Sequence, residues 1–356
     1  MSKEIHLVTG ASGFIGRELV KRLLENKKTV WVLLRSDKGS LWEQDQKKVK
    51  YLRVVTGDIT KINLGLSSEL VKQLSRKEVK VWHLAANLSF QKSETDDVLR
   101  TNWMGTKQVI KLVNKWKGEL YYMSTAYVGS SQGQAKEEFV TKPKKFNNTY
   151  EYSKYLAEME IKNRCRTRWI IFRPSIVLGH AYEGKAKGCT FGYYRFVFIV
   201  NLLKTWLAAS YFTGFILPYP KFCKVNLIDL DYVVHTMLAI VKKNESNRKI
   251  FHLINPQPPE YLWCLKILLN DLGLTGIHHR GLSSRWFNFW FKIFLFLTKR
   301  SRINKYMKSL NWYLPYIVDQ YNFEFKNVTA AGLKSPRKFT ESDFRKINKY
   351  AKSLIG

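Results

Sequence analysis

Three glycines constrain this chain more than any other residues. Gly10, Gly13 and Gly16 stand as G-x-x-G-x-x-G between a β-rich run, Ile5 to Thr9, and a segment of helical periodicity, Arg17 to Asn26. The apolar positions of that segment, Leu19, Val20, Leu23 and Leu24, fall on one helical face. Glycine is needed where a strand turns tightly into a helix and where backbone must approach a pyrophosphate. The helix N-terminus then presents N–H groups to the anion. The pattern predicts a dinucleotide-binding strand–turn–helix unit.

The rest of the first half repeats that logic. Thr29 to Leu34, Leu52 to Thr56, Val79 to Leu84, Glu119 to Met123 and Trp169 to Phe172 read as buried strands. Asp97 to Lys115 and Tyr152 to Arg164 read as helices between them. Strands alternating with helices predict an α/β fold, a Rossmann-type doubly wound parallel sheet. A helix over Asp229 to Val241 and a strand over Ile250 to Ile254 return to it. The expected organisation is a binding domain over 1–180 with returning segments at about 225–256. A smaller, mostly helical substrate region then spans 181–224 and 257–356. The apolar stretch Tyr193 to Tyr219 carries Asn201 and Lys204, and its longest charge-free run, Thr205 to Pro220, is too short to span a bilayer. It is expected to form a substrate pocket or its lid.

Several side chains fall where ligands of open parallel sheets bind, at the carboxyl ends of strands. Arg35 ends the second strand, where an acidic residue would take a ribose 2′-hydroxyl and an arginine accommodates a 2′-phosphate. With Ser36 and Asp37 beside it, Arg35 favours NADPH over NADH. Asp58 follows the third strand and reads either as an acceptor for the adenine amine or as a simple helix cap. Tyr150 and Lys154 form Y-x-x-x-K, one helical turn apart and so on one face. A neighbouring ammonium is expected to lower the phenol's pKa and make it a usable acid. The strand ending Met123-Ser124-Thr125-Ala126 brings a hydroxyl to the same end of the sheet.

These pieces resemble the extended short-chain dehydrogenase/reductases. Within them, the chain is similar to the fatty acyl-CoA reductases and thioester-reductase domains, the male-sterility NAD-binding family. The matching segments run in order: Thr9 to Gly16, His83-Leu84-Ala85-Ala86, Asn102-Trp103-Met104-Gly105-Thr106, Ser124-Thr125-Ala126-Tyr127-Val128, Tyr150 to Lys154 and Arg173 to Gly179. Val225 to Val234 and Ile250 to Ile254 follow, so the likeness covers about residues 4 to 256. The resemblance implies a catalytic triad of Thr125, Tyr150 and Lys154, with Ser124 as the alternative hydroxyl and Asn102 as a brace. It implies a cofactor site of Gly10, Ser12, Gly13, Phe14, Ile15 and Gly16, with Arg35, Asp58, Ile59, Ala85 and Ala86. Tyr150, Lys154, Pro174 and Ser175 complete it at the nicotinamide end. The implied activity is NADPH-dependent reduction of an acyl thioester, on coenzyme A or an acyl carrier protein, to aldehyde or alcohol. The alternative is a superfamily enzyme acting on a ketone or sterol-like carbonyl or, further off, a sugar-nucleotide epimerase or dehydratase. Animal and plant acyl-CoA reductases carry a longer C-terminal region than this chain.

The charge is extreme: 60 Lys and Arg against 28 Asp and Glu, a formal +32. Such a field draws in anions, which include phosphorylated cofactors, acyl carriers, lipid and nucleic acid. No nucleic-acid-binding motif accompanies it, so nucleic acid is not an expected partner. Metal-ligand patterns are lacking too: Cys165, Cys189, Cys223 and Cys264 lie far apart with no C-x-x-C pair. That spacing suits a reducing cytosol, and the first residues show no secretory leader pattern. The expected location is cytoplasmic, with peripheral membrane contact through Trp286 to Lys308 as one of two readings. From Leu272 to Val318 there is no acidic residue, and aromatics from Trp286 to Phe296 precede a run of cations. This suits either a helix lying in a membrane interface or a helix pair with buried rings.

Overall fold

The computed structural model describes residues 3–35, 42, 49–128, 134–141, 145–179, 192–202, 204, 216–275, 277–300 and 303–354. Ser36, Asp37, Cys189 and the middle of the expected pocket segment, residues 203 and 205–215, lie outside them. The described chain divides into two compact units. The first comprises Met1–Ser175, Leu230–Ile254 and Asn322–Ser335, and the second Ile176–Asp229, Asn255–Tyr321 and Pro336–Gly356.

The first unit is built on seven strands: β1 (Glu4–Thr9), β2 (Val30–Leu34), β3 (Leu52–Thr56), β4 (Glu78–His83), β5 (Glu119–Met123), β6 (Trp169–Pro174) and β7 (Lys249–Leu253). Every pairing is parallel, and the order is β7-β6-β5-β4-β1-β2-β3. This is the doubly wound sheet the alternation predicts. β1, β2 and β6 are buried almost end to end, because helices cover both faces. The strand order reverses between β1 and β4, which defines a ligand crevice at their carboxyl ends.

Three helices position the site. α1 (Phe14–Glu25) leaves the glycine turn, α2 (Gly105–Trp116) packs beneath the sheet, and α3 (Thr149–Arg164) carries Tyr150 and Lys154. A five-residue π-helical segment, Arg100–Met104, precedes α2. α3 starts three residues before the stretch expected from periodicity. The Asn148 side chain accepts the Glu151 N–H at 2.9 Å and fixes that start.

In the second unit, α4 (Tyr261–Asp271) packs with α6 (Glu341–Ser353), and α5 (Ser284–Leu297) lies between them in sequence. Asp271 joins Arg345 at 2.7 Å and Asn348 at 2.7 Å, tying α4 to α6. The unit also holds helices over Tyr193–Leu202, Ile303–Asn311 and Leu314–Val318 and two short parallel pairs, Leu217–Pro220 with His279–Leu282 and Ile176–Leu178 with Leu227–Asp229. No helix among the described residues is long and apolar enough to cross a membrane.

Candidate active site

The glycine turn has the geometry its sequence predicts. Gly10 sits at φ +74°, and a Cβ there would lie 2.5 Å from the Ala85 nitrogen. A Cβ on Gly16 would lie 2.1 Å from the Gly10 carbonyl oxygen. Neither position tolerates a side chain, so β1, β4 and α1 converge as closely as backbone allows. Gly13 caps α1 without a side chain, and the Arg17 Nε donates to the Ser12 carbonyl at 2.9 Å, stiffening the turn. The cradle fits a pyrophosphate at a helix N-terminus.

A chain of hydrogen bonds runs from this turn to Tyr150. The Ala85 N–H donates to Thr9 Oγ1 at 3.3 Å, and Thr9 Oγ1 lies 2.8 Å from His83 Nδ1. His83 Nε2 lies 3.0 Å from Thr106 Oγ1, which donates to the Asn102 carbonyl at 2.6 Å. Because Thr106 spends its proton on Asn102, it must accept from His83, so His83 carries its proton on Nε2 and accepts from Thr9. Burial, reinforced by the Lys154 charge, lowers the His83 pKa to about 3 and keeps the ring neutral. The Asn102 side chain then holds Asn87 from both sides, accepting its N–H at 2.7 Å and donating to its carbonyl at 2.9 Å. The same amide donates to Ser153 Oγ at 2.8 Å, and Ser153 donates to the Tyr150 carbonyl at 2.7 Å. Asn102 lies in the π-helical segment and ties α3 to the residues that follow β4.

Lys154 and Tyr150 come together at the end of β5, and Thr125 follows that strand two residues on. Lys154 Nζ donates to the Met123 carbonyl at 2.7 Å and lies 5.8 Å from the centre of the Tyr150 ring. Ser124 and Thr125 differ sharply. Ser124 Oγ donates to Glu158 Oε1 at 2.5 Å, so its proton is committed. Thr125 Oγ1 accepts the Tyr127 N–H at 3.4 Å, and no acceptor among the described residues takes its O–H. Glu158 in turn holds Arg173 through two bonds, at 2.9 and 2.6 Å, with both side chains buried. Glu158 and Arg173 are site-supporting residues that sequence reasoning missed. The available signal was the spacing of Glu158, one helical turn past Lys154 on the same face.

The electrostatics correct one expectation. The Tyr150 phenol is pushed up from its ordinary value, by burial and then by the Glu151 carboxylate, rather than lowered by Lys154. Burial also brings the Lys154 pKa down to about 7, against the opposing pull of Glu158.

The remaining cofactor candidates fall along the same edge. Ala85 and Ala86 follow β4 and are half-buried. Pro174 ends β6, and the buried Ser175 Oγ finds no hydrogen-bond partner among the described residues. That orphaned hydroxyl fits a polar group of a bound nicotinamide. Arg35 is exposed at the end of β2. Asp58 Oδ1 accepts both the Thr60 N–H and its hydroxyl at 2.8 Å, which closes a turn after β3. It is not a helix cap, because the short helical turn that follows, Ile62–Gly65, starts at Lys61 without a side-chain cap. Burial raises the Asp58 pKa, but the Thr60 bonds and the Arg35 and Lys61 charges outweigh it and hold it below the usual value. Ile59 is buried in the core and faces Gly105, where a Cβ would lie 3.0 Å from it.

Residues 8–237 match the model of the NAD-binding family described as male sterility protein. The chain belongs to that family, within the extended short-chain dehydrogenase/reductases. It is 24% identical over 322 residues to a putative fatty acyl-CoA reductase of Drosophila melanogaster, a match covering 75% of this chain and 56% of the relative. It is 29% identical over 182 residues to a polyketide synthase-nonribosomal peptide synthetase of Aspergillus clavatus, covering 49% of this chain and 4% of that protein. The chain thus spans little more than half, or far less, of the curated relatives it matches. Among solved structures, the terminal R domain from the myxalamid PKS-NRPS biosynthetic pathway superposes with a TM-score of 0.73 at 21% identity. That match covers 100% of this chain and 91% of the domain, and it shows a shared fold.

Proposed function

We propose that this protein is an NADPH-dependent reductase of an acyl thioester, carried on coenzyme A or an acyl carrier protein, with Thr125, Tyr150 and Lys154 as its catalytic residues. The observation that carries the reading is the contrast at the end of β5. Thr125 keeps its O–H for a ligand while Ser124 spends its own on Glu158, and Lys154 is pinned beside the Tyr150 ring. The family match and the likeness to acyl-CoA reductases and to a synthetase R domain support the choice of thioester over ketone.

A bound reduced nicotinamide supplies the hydride. Tyr150 gives its phenolic proton to the thioester carbonyl oxygen, for which it must be protonated, as its raised pKa ensures. Thr125 donates its O–H to the same oxygen as negative charge develops there. Lys154 orients Tyr150 and meets the nicotinamide ribose. Hydride and proton together give a hemithioacetal, which releases the thiol and leaves an aldehyde. A second reduction would yield the alcohol. Arg35 takes the 2′-phosphate, the glycine turn the pyrophosphate, Asp58 and Ile59 the adenine end, and Ala85, Ala86, Pro174 and Ser175 the rest of the cofactor. The second unit is assigned as the substrate-binding region.

The test is NADPH oxidation measured against acyl-CoAs, acyl carrier proteins, aldehydes, ketones and sugar nucleotides. Turnover of thioesters is expected. Turnover confined to ketones or sugar nucleotides would overturn the proposal.

A further inference from the structure

α5 is apolar on two opposite faces, and only one of them is covered. Ser284, Phe287 and Phe291 form the inner face. Phe287 and Phe291 are buried, and Ser284 Oγ donates to the Val318 carbonyl at 3.3 Å and lies 3.9 Å from Cys223 Sγ. The outer face carries Trp286, Phe289, Ile293, Phe296 and Leu297, which are 65%, 55%, 42%, 74% and 74% exposed. Their spacing of three, four, three and one residues places all five within one stripe of a 3.6-residue helix. Isolated exposed apolar residues are ordinary, but a continuous stripe marks an interaction surface.

The charges around the stripe say what covers it. Arg285 and Lys292 are exposed along one edge, and Lys299 and Arg300 are exposed just beyond its carboxyl end. Leu272 to Val318 contains no Asp or Glu, so nothing in that segment neutralises them. Phe222, 89% exposed, adjoins Cys223 near the amino end of α5. It is held at φ +59°, a conformation that costs energy for an aromatic residue. The stripe itself offers large rings with almost no hydrogen-bonding groups. A protein interface typically needs about one hydrogen bond per 100–200 Å², whereas a fluid lipid surface needs only apolar depth and anionic headgroups.

We propose that α5 docks on an anionic lipid surface. The helix lies in the plane of the interface, with Trp286, Phe289, Ile293, Phe296 and Leu297 among the upper acyl chains. Arg285, Lys292, Lys299 and Arg300 sit at the phosphates. At 14 residues the helix is about 21 Å long, which suits lying on a bilayer and not crossing it. This does not rest on the reductase reading, because it is read as binding and not as turnover.

The test is co-sedimentation of the full chain with vesicles of equimolar phosphatidylglycerol and phosphatidylcholine, against vesicles of phosphatidylcholine alone. The wild type is expected to pellet with the anionic vesicles at low salt and far less with neutral ones. The triple variant Trp286→Ser, Phe289→Ser, Phe296→Ser should weaken binding by about tenfold or more at every salt concentration, because ring burial is not screened. Arg285→Gln and Lys292→Gln should each weaken it about fivefold at low salt, a loss that vanishes at high salt. If the triple variant melts early, the two charge variants carry the test. A folded wild type that ignores anionic vesicles at low salt overturns the proposal. So does a stripe that instead mediates self-association, shown by a concentration-dependent dimer lost in the triple variant, or binding confined to an acidic carrier protein.

Discussion

Both units pair the polar groups they bury, as Asn226 with Asn255 and Asn348 with Asp271 in the second, but they differ in what those pairs surround and in what is left outside. In the first, the pairs surround the candidate site. Glu158 meets Arg173, His83 meets Thr9 and Thr106, and Asn102 meets Asn87 and Ser153. In the second, apolar groups are left outside, along the outer face of α5. The contrast teaches where function resides in each. A satisfied buried network fixes a few side chains to fractions of an ångström, as proton transfer requires. An unsatisfied apolar stripe fixes nothing internally and is useful only toward a partner.

If that contrast holds, substitutions in the first unit should remove chemistry without removing the fold. Tyr150→Phe takes away only the proton donor and keeps the ring against Phe90, whose centre lies 6.0 Å away. Turnover should fall roughly 100- to 10,000-fold, with NADPH binding and the melting temperature almost unchanged. Steady-state kinetics paired with cofactor titration checks it. Thr125→Val should lower kcat by about 100-fold or more, whereas Ser124→Ala should act mainly on stability, since it strips a buried partner from Glu158. Equal catalytic losses for the two hydroxyl variants would break the assignment.

The second unit supplies the mirror experiment. Phe291→Ser empties the covered face of α5 and should cost about 3–5 kcal/mol, visible as an early thermal melt. Trp286→Ser, five residues earlier and on the outer face, should shift stability by no more than about 0.5 kcal/mol. Similar melts for both would mean that the two faces of α5 do not differ as described.

Arg35→Ala sharpens the account of the cofactor. Losing a charge-assisted bond to a 2′-phosphate should weaken NADPH by roughly 10- to 150-fold and leave NADH almost untouched. Equal losses would remove Arg35 as the discriminator. The smallest effect is on pH dependence. Lys154 is charged below a pKa of about 7 and neutral above it. The kcat/KM of the free enzyme should therefore decline as pH rises through about 7. In Lys154→Arg, whose side chain keeps its charge, that decline should disappear even if overall activity is low.

Much of the first unit was legible in the sequence, for physical reasons. Gly10 and Gly16 admit no side chain, so their spacing encodes the turn directly. β1, β2 and β6 are buried on both faces, so their apolar runs read as strands without ambiguity. The pairing of Ser124 with Glu158 was not legible, because a hydrogen bond between residues 34 apart leaves no local pattern. The depressed pKa of Lys154 was hidden for a related reason: spacing places it near Tyr150, but only the packed structure shows how little water reaches it. In α5 the density of aromatics announced a helix with something to bury. Composition cannot say which of two apolar faces is turned inward, and Phe287 and Phe291 on one side, with Trp286 and Phe289 on the other, needed the three-dimensional structure.

The central claim is that the site at the end of β5 reduces thioesters, and the most direct measurement is the liberation of free thiol. A long-chain acyl-CoA and NADPH are mixed with the wild type, and coenzyme A release is followed with a thiol-reactive chromophore alongside NADPH oxidation. The account predicts thiol appearing in fixed proportion to NADPH consumed, with both signals lost together in Tyr150→Phe. NADPH consumed on other carbonyl substrates, with no thiol released from any acyl-CoA or acyl carrier protein, would contradict it.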